Sequence, residues 1–481
     1  FPRAMFIVEV QDKRYVKELK TLLELYNGNS LVKPIKTREK HSDVDGQSVK
    51  LFQLKTSITN VEELQKLLEN YENCGSIAEC ADSENISSTS GVNFTITLLD
   101  YIRAYLATQE SYSSEFIEDV IANHCSPKYS LYPPLILFNH SPVKQMFISA
   151  LWQEQIFKNS DETRTHFFEQ MIQQVFIPTS SQNGVEFSHV AVNNPIQKAD
   201  NIWRKPLSII PLFGDFSTKD VNFDNPTHEN FEKGFWCSTV QNGIYQEWAP
   251  IYTMFSRGNI KEKARILVTE KTKSTLCHFK DIANNDVLDM YCGIGYFTLS
   301  YLKRDCRYLF GFDLNPWSCE GLRRALTSKK NSKFVKQNSC YIYNESNEFA
   351  MQRLKDFEAS SISTAHNNCK LKIRHINMGL LPTSEPGWAV ALDVAYRFHG
   401  SCLVTTLHVH ENIHNDEVKD GSFVNEKLLP ALLSFKKQNH YNNIESISVT
   451  HVEKIKTFAP DVWHVCIDTD IHFKCVSETC M

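Results

Sequence analysis

The chain lacks the long apolar runs that membrane-spanning helices need. Its longest candidate, 131–138, is interrupted by Pro133 and Pro134, whereas a membrane span takes about 18 or more consecutive apolar residues. The chain also lacks a stretch in which a basic start, an apolar core and a small-residue cleavage site follow one another, as they do in secretion signals. We therefore expect a soluble, cytoplasmic protein without a membrane partner.

Close cysteine pairs are missing too, although the chain contains 14 cysteines. Zinc and iron–sulfur sites usually need ligands about two to four residues apart, so neither kind of site is predicted. Reduced thiols in a cytoplasmic protein are the simpler interpretation. His408, His410 and His414 are the nearest approach to a metal cluster, and we expect them to lie at a strand end and its loop rather than to hold a metal ion.

The formal net charge of −5 argues at first against a nucleic-acid partner. Residues 251–340, however, carry sixteen Lys and Arg against eight Asp and Glu, so this stretch has a net charge of +8 and the rest of the chain −13. A local basic field of this kind can guide a polyanion. Charge alone fits a set of solvated helix faces at least as well.

A length of 481 residues predicts two or three domains. We expect an N-terminal α+β region over 5–180, a connector or middle domain over 181–255, where Asn, Pro and Gly are frequent, and a third domain over 256–481. The first strand pattern lies at 6–10, helix patterns cover 15–26, 143–157 and 163–176, and a polar insert covers 81–91.

Strand-like runs alternate with helical stretches in the third domain. This order is typical of an α/β fold with a mostly parallel sheet built from strand–helix–strand units. The runs 447–457 and 463–469, joined by an Ala-Pro-Asp turn, predict an antiparallel hairpin that closes the sheet. Between Tyr341 and Lys370 we expect an insertion with a flexible end at 360–368. The predicted parallel strands are 286–290, 308–313, 371–377 and 401–408.

A glycine-containing turn follows the first of these strands. The sequence VLDMYCGIGYF at 287–297 runs from an apolar strand into a turn with Gly293 and Gly295 and then into a helix. Small residues there let the backbone approach a ligand at the carboxyl end of the sheet. A dinucleotide-binding fold would have a third small residue at the position of Thr298. The turn with Asp289 therefore indicates an open α/β binding site but not a dinucleotide.

A second acid, Asp313, ends the next strand twenty residues after Gly293, where a carboxylate can accept both hydroxyls of a ribose. Acids at the ends of two successive strands, with a Gly-x-Gly turn between them, are found in methyltransferase folds that bind S-adenosylmethionine. The alternative is that Asp289 caps a helix and Asp313 forms a turn.

Further segments resemble the eukaryotic tRNA wybutosine-synthesizing protein 2 family, which is related to the tRNA guanosine-37 N1-methyltransferases. The resemblance covers about residues 200–470 and implies a Rossmann-like class I methyltransferase domain, preceded by a region that helps to hold tRNA. The segments are WCSTVQNGIYQEWAP at 236–250, YTMFSRGN at 252–259, EKAR at 262–265, Asn315-Pro316, NMGLLPTSE at 377–385 and FAPDVWH at 458–464.

The resemblance implies a set of cofactor-binding residues. Ser256 and Lys263 would contact the cofactor, Asp313 would hold its ribose, and Gln337 and Asn338 would flank the adenine. The family usually has Glu at the place of Asp313 and Asp at the place of Gln337, so the second departure removes a charge. With the motif residues, the predicted cofactor site is Ser256, Lys263, Asp289, Gly293, Gly295, Asp313, Asn315, Gln337, Asn338 and Asn377. Alternatively, Ser256 and Asn259 cap the helix that begins near Ile260, and Lys263 is a solvated helix residue.

The activity that the resemblance implies is transfer of a 3-amino-3-carboxypropyl group from S-adenosylmethionine to C7 of 4-demethylwyosine at position 37 of phenylalanine tRNA. An extruded base needs aromatic or Arg side chains to replace its stacking, and the candidates are Arg257, Trp203, Arg204 and Lys205. Asn377 is the candidate catalytic residue, and its alternative role is to satisfy loop amides at a strand end. We expect a monomer without a metal ion. The alternatives are a tRNA guanosine-37 N1-methyltransferase and a non-catalytic RNA-binding protein of the same fold.

Overall fold

The computed structural model describes residues 6–10, 37–44, 47–55, 65, 75–79, 96–176, 186–193, 209–216, 221–268, 279–363 and 370–475. The chain divides into two compact units, Phe1–Thr97 and Leu98–Met481. This division falls away from residues 180 and 255, so the domain boundaries proposed there remain predictions. The predicted helix at 15–26 and the polar insert at 81–91 lie outside the described residues.

The first unit contains a four-stranded antiparallel sheet. Its strands are β1 (Phe6–Val10), β2 (Thr37–Val44), β3 (Gln47–Lys55) and β4 (Gly75–Glu79), in the order β2-β3-β1-β4. The predicted strand at 6–10 is confirmed as β1. Val8 and Val10, two residues apart, are both fully buried, because alternate side chains of a strand point to the same face.

The second unit begins with a smaller mixed sheet packed against helices. The sheet has the order β5-β6-β7-β8, in which β6 and β7 are parallel and the outer pairs antiparallel. π-Helical turns lie at Val120–His124, Leu151–Ile156 and Ile172–Phe176. The elements are α1 (Leu98–Ala107), α2 (Ser114–Asp119), β5 (Tyr129–Tyr132), β6 (Leu135–Asn139), α3 (Asp161–Met171), β7 (His189–Asn193) and β8 (Ile210–Phe213).

The helix predicted over 163–176 is confirmed by α3 and the turn that continues it, but the one predicted over 143–157 is wrong in its first half. Turns replace it as far as residue 149, and only Leu151–Ile156 is helical. Phe147 has a positive φ of 68°, and its fully buried ring packs edge-on against Trp152 and Phe167. This packing on distant residues overrides the local helical pattern.

A hairpin and two helices join the small sheet to the large one. They are α4 (His228–Lys233), β9 (Cys237–Gln241), β10 (Ile244–Trp248) and α5 (Ile260–Leu267), with a 3₁₀ turn at Arg257–Asn259. The hairpin is attached to the domain of the large sheet, since Tyr245 N donates to Asn331 Oδ1 at 2.9 Å and Asn331 Nδ2 donates to Tyr245 O at 2.8 Å. A Cβ added at Gly321 would lie 2.6 Å from Glu247 O.

The large sheet has seven strands in the order β13-β12-β11-β14-β15-β17-β16. The first five are parallel, and β17 and β16 are antiparallel. The predicted α/β fold of the Rossmann-like methyltransferase type, with its closing hairpin, is therefore confirmed. The elements are β11 (Asp286–Asp289), α6 (Thr298–Lys303), β12 (Leu309–Phe312), α7 (Pro316–Thr327), β13 (Cys340–Tyr343), α8 (Ala350–Ser363), β14 (Ile373–Met378), α9 (Trp388–Phe398), β15 (Val404–His414), α10 (Asn415–Asp420), α11 (Leu429–Gln438), β16 (Ile444–Ala459) and β17 (Val462–Phe473).

The insertion predicted between Tyr341 and Lys370 is wrong where the structure describes it, and residues 364–368 of its predicted flexible end lie outside the described residues. Cys340–Tyr343 forms the edge strand β13, and Ala350–Ser363 forms helix α8. Tyr341 stacks on Phe310 and Tyr343 on Phe312 of the neighbouring strand. Such aromatic cross-strand pairs stabilise a short edge strand.

The histidines of β15 also differ from the prediction. His408 and His410 are buried inside the sheet domain, whereas His414 is exposed at the strand end as expected. His408 Nδ1 lies 2.7 Å from the Asp468 carboxylate of β17. This partner, sixty residues away, allows a titratable ring to be buried. Every described cysteine is a free thiol, as predicted. None of the described helices has the length and apolar character of a transmembrane segment.

Candidate functional site

The carboxyl ends of β11 and β14 are tied together by Asp289. Its fully buried carboxylate accepts from Thr298 Oγ1 at 2.7 Å and from Asn377 Nδ2 at 3.0 Å. Burial raises the pKa of the Asp289 carboxyl, although the hydrogen bonds oppose that shift. Both carboxylate oxygens of Asp289 thus accept hydrogen bonds from the protein itself, and one of these bonds fixes the amide group of Asn377 at the strand end.

The two glycines of the turn after β11 have separate structural reasons. Both have positive φ, 53° at Gly293 and 85° at Gly295, where residues with a side chain are strained. A Cβ added at Gly295 would lie 2.5 Å from Leu322 Cδ1 of α7, and one at Gly293 would lie 3.0 Å from the Tyr296 ring. The turn and its close packing on α7 therefore both require glycine.

Asp313 links this turn to the end of β12. Its carboxylate accepts from the backbone amide of Gly293 at 2.9 Å and from that of Asn315 at 2.9 Å, and the residue is partly exposed at the edge of the sheet. This contact places the glycine turn and the end of β12 side by side. A carboxylate held by two amides and open to solvent is suited to accept hydroxyl groups of a ligand.

Asn315 is placed beside Asp313 but faces the protein. Its Oδ1 accepts from the amides of Trp317 and Ser318 at 2.9 and 3.3 Å, and its Nδ2 donates to Tyr252 O at 3.0 Å. It is the N-cap of α7, a position that asparagine favours. Asn315 therefore positions the backbone at the start of α7, next to Asp313.

Ser256 lies between the glycine turn and the closing hairpin. Its backbone amide donates to Tyr296 Oη at 3.3 Å, and Tyr296 Oη donates to Met254 O. Its Oγ accepts from Lys456 Nζ at 3.3 Å. Ser256 is also the N-cap residue of the Arg257–Asn259 turn, but its side chain makes no capping bond. The capping alternative is thus not the role of the hydroxyl.

Lys263 is buried, so the interpretation as a solvated helix residue is wrong. Its Nζ donates to Gln241 Oε1 at 3.0 Å and to Gln246 Oε1 at 2.8 Å, and it lies 5.2 Å from the centroid of the Tyr296 ring. Burial lowers the pKa of the Lys263 ammonium to about 7. The position beside the Tyr296 ring places Lys263 Nζ next to the glycine turn, on its protein side.

The structure does not bring Gln337 and Asn338 to this edge. Both precede β13, and Leu309 N at the start of β12 donates to Ser339 O at 2.8 Å, so they lie at the amino ends of the strands. Asn344, the first residue after β13, lies at the carboxyl end instead, where its Nδ2 donates to Asp313 O at 2.9 Å. Asn344 was not among the predicted site residues, because β13 was not recognised as a strand.

The predicted substrate residues are less completely described. Trp203, Arg204 and Lys205 lie outside the described residues. Arg257 opens the 3₁₀ turn after Ser256, and its side chain is not among those described.

A buried ion-pair network lies next to Lys263 on α5. Arg265 bonds the Glu262 carboxylate at 2.6 and 2.9 Å and the Asp468 carboxylate at 2.5 and 3.2 Å. Burial alone would raise the pKa of Asp468, but His408 and Arg265 hold it below its usual range. Potential metal-ligand atoms of Glu262, His410 and Cys466, and of His408, Cys466 and Asp468, converge within 4.8 Å. Arg265 neutralises the two carboxylates, so Glu262 and Asp468 are held in ion pairs, whereas the buried His410 Nε2 has no hydrogen-bond partner.

Comparison with known proteins gives relatives over nearly the whole chain. It is 36% identical over 490 residues to tRNA wybutosine-synthesizing protein 2 of Saccharomyces cerevisiae, which covers 96% of this chain and 97% of the yeast protein. It is 39% identical over 288 residues to the protein of that name from Schizosaccharomyces pombe, covering 59% of this chain and 61% of the relative. A crystal structure of P. horikoshii TYW2 in complex with MeSAdo aligns over 78% of this chain and 99% of its own, at 16% identity and a TM-score of 0.44. No family model matches the chain.

Proposed function

The chain belongs to the tRNA wybutosine-synthesizing protein 2 family, and from this premise we propose that it transfers the 3-amino-3-carboxypropyl group of S-adenosylmethionine to C7 of 4-demethylwyosine at position 37 of phenylalanine tRNA. The observation that carries the proposal is the 36% identity to the yeast protein across 96% of the chain. The chain is an S-adenosylmethionine-dependent transferase that modifies tRNA. The anticodon loop of tRNA is the proposed binding partner, and the cytoplasm the proposed location.

The residues at the carboxyl edge fit the nucleoside part of S-adenosylmethionine. Asp313 would accept the ribose hydroxyls, since its carboxylate is already oriented by the amides of Gly293 and Asn315. Leu314 and Phe349 are 37% and 53% exposed beside this edge, and such apolar side chains can enclose an adenine ring. Asn344 replaces Gln337 and Asn338 in the proposed adenine site.

The methionine part would extend along the glycine turn toward Ser256. Ser256 carries a hydroxyl held by Lys456, and the side-chain nitrogen of Lys263 lies behind Tyr296. Asn377, fixed by Asp289, would face the reacting atoms and remains the candidate catalytic residue. The glycines contribute by letting the backbone approach the ligand.

The reaction exchanges one bond for another. The bond between the sulfonium sulfur and Cγ of the methionine chain breaks while C7 of the base bonds to that carbon, and the C7 proton leaves. The leaving group is neutral methylthioadenosine. Because the sulfur carries three carbons, placement of the nucleophile decides which one reacts. The chain must therefore direct the amino-acid arm, and not the methyl group, toward an extruded base.

Labelled cofactor tests the proposal. S-Adenosylmethionine labelled separately in its carboxyl and methyl groups is incubated with the enzyme and tRNA that carries the 4-demethylwyosine precursor. We expect only the carboxyl label in tRNA and a nucleoside mass increase equal to one aminocarboxypropyl group. Methyl label alone in tRNA would instead assign the chain to methyl transfer. Tight tRNA binding without any S-adenosylmethionine binding in calorimetry would assign a non-catalytic role.

A further inference from the structure

Three polar side chains form a row across the closing strands of the large sheet, beside Ser256. Asn412 of β15 is paired with His464 of β17, and His464 is paired with Lys456 of β16. Directly paired residues on neighbouring strands point to the same face. Lys456 donates to Ser256 Oγ at the end of the row, and a Cβ added at Gly258 would collide with the Lys456 side chain. The segment that holds Ser256 therefore lies directly against this row.

The row contains buried polar atoms without hydrogen-bond partners. They are both side-chain polar atoms of Asn412 and Nδ1 of His464, and Oδ1 of Asn259 in the adjoining turn is in the same state. His464 is only 1% exposed. Buried donors and acceptors in folded proteins nearly always have partners, so a group of them in one place needs an explanation. A ligand with donors and acceptors along one edge would provide it.

The histidine of the row is prepared as a neutral donor or acceptor. His464 Nε2 lies 2.9 Å from His410 Nδ1, so one of these two nitrogens donates a hydrogen bond to the other. In a neutral imidazole one nitrogen donates and the other accepts, so Nδ1 of His464 accepts if Nε2 donates, and donates if Nε2 accepts. Burial, followed by the charge of Lys456, lowers the pKa of His464 to about 3. Neutral imidazole and amide groups suit the edge of a heteroaromatic base better than they suit a carboxylate.

The position of the row also fits a base. Asn412 N donates to Pro382 O at 2.8 Å, so the row adjoins the loop that follows β14, the strand that carries Asn377 next to its last residue. Phe458, two residues after Lys456, is 56% exposed at the rim. An exposed aromatic ring there can stack on a base that has left the anticodon loop.

We propose that Asn412, His464 and Lys456 form the pocket that receives the extruded tricyclic base and binds its hydrogen-bonding edge. This inference rests on the proposed function, because it names where the substrate of that reaction is held. It adds three substrate-binding residues from the closing hairpin and β15 to a site whose other members come from the parallel strands.

Two substitutions with a matched control test the pocket. Asn412→Leu and Lys456→Met remove polar groups of the row, and Lys454→Met removes the same charge from the same strand at a residue whose Nζ bonds Asn415 Oδ1 at 3.0 Å. We measure the affinity for S-adenosylmethionine by calorimetry and kcat/KM with carboxyl-labelled cofactor and precursor tRNA. Asn412→Leu should lose about 10- to 100-fold in kcat/KM and keep cofactor affinity within about twofold. Lys456→Met should lose more in kcat/KM than in cofactor affinity, because its ammonium also holds the Ser256 hydroxyl. Lys454→Met should keep both values.

Several outcomes would overturn the pocket. Cofactor affinity that falls in parallel with kcat/KM assigns the row to the methionine arm, and an unchanged kcat/KM removes it from the site. Should Asn412→Leu fail to fold, Asn412→Asp is used instead. It keeps the size of the side chain and replaces the amide NH2 donor by an acceptor oxygen, and it must show the same loss of kcat/KM. If the unsubstituted enzyme transfers only methyl label, the proposed function fails by itself, and the same variants then test the pocket through the rate of methyl transfer.

Discussion

Replacing Asp313 by alanine should strongly weaken S-adenosylmethionine binding. The carboxylate would lose its bonds to the two ribose hydroxyls, and hydrogen bonds to a charged acceptor contribute about 1.5–3 kcal/mol each. Water recovers part of this, so we expect a loss of about 2–4 kcal/mol, which is roughly a 30- to 900-fold rise in Kd. Calorimetric titration with S-adenosylmethionine and with methylthioadenosine should give the same factor, because both carry the ribose.

The matched control is Asp313→Glu, which keeps the charge on a longer arm and introduces the residue usual in the family. It should bind both ligands within about fivefold of the unsubstituted chain. Asp313 also accepts from the amides of Gly293 and Asn315, so thermal unfolding of both variants is measured to verify that they are folded. If Asp313→Ala binds the cofactor as well as Asp313→Glu does, the ribose assignment is refuted.

Three further predictions concern the surroundings of the site. Gly295→Ala should lower the free energy of unfolding by about 2–4 kcal/mol in urea titrations, because φ is 85° and the new Cβ meets Leu322; an unchanged urea midpoint would contradict the packing argument. Arg265→Met should cost about 3–5 kcal/mol by the same measurement, since it leaves two buried carboxylates without their cation, and a loss below about 1 kcal/mol would show that the network is solvated. Burial lowers the pKa of Lys263 to about 7 from 10.5, so the unfolded chain binds more protons between these values and the free energy of unfolding should rise with pH there, by up to about 1.4 kcal/mol per pH unit. Lys263→Met should lack this slope in urea titrations at pH 7 to 9, and equal slopes for the two proteins would contradict the lowered pKa.

The sequence predicted those parts of the fold that local patterns determine. The strand before the glycine turn has the apolar centre Val287-Leu288, and the strand before Asp313 has no polar side chain, so both were recognised from the sequence. β13 was missed because its residues Cys340–Tyr343 are only half-buried and its aromatic partners lie on β12. The family resemblance, and not a local pattern, had assigned the adenine site to Gln337 and Asn338, and both residues precede β13 in the structure.

Long-range partners explain the other errors. His408 can be buried because the Asp468 carboxylate, sixty residues later in the sequence, accepts a hydrogen bond from its ring. No local sequence pattern predicts such a pair. Asn315 and Asp289 were both predicted to bind the cofactor. In the structure their side chains bond to protein groups, and these partners are distant in sequence. Arg257, Trp203, Arg204 and Lys205 stay predictions for the tRNA side of the site.

The fastening of the β9–β10 hairpin to the large sheet sets where a catalytic fragment can be cut. Tyr245 and Asn331 exchange two hydrogen bonds, and Gly321 leaves no room for a side chain against Glu247. A truncation that started at residue 256 would strip away this cover, expose α7 to water and remove the two glutamine oxygens that hold Lys263. A soluble, cofactor-binding fragment should therefore begin before Trp236, and the hairpin behaves as the first piece of the enzyme domain rather than as a tether leading to it.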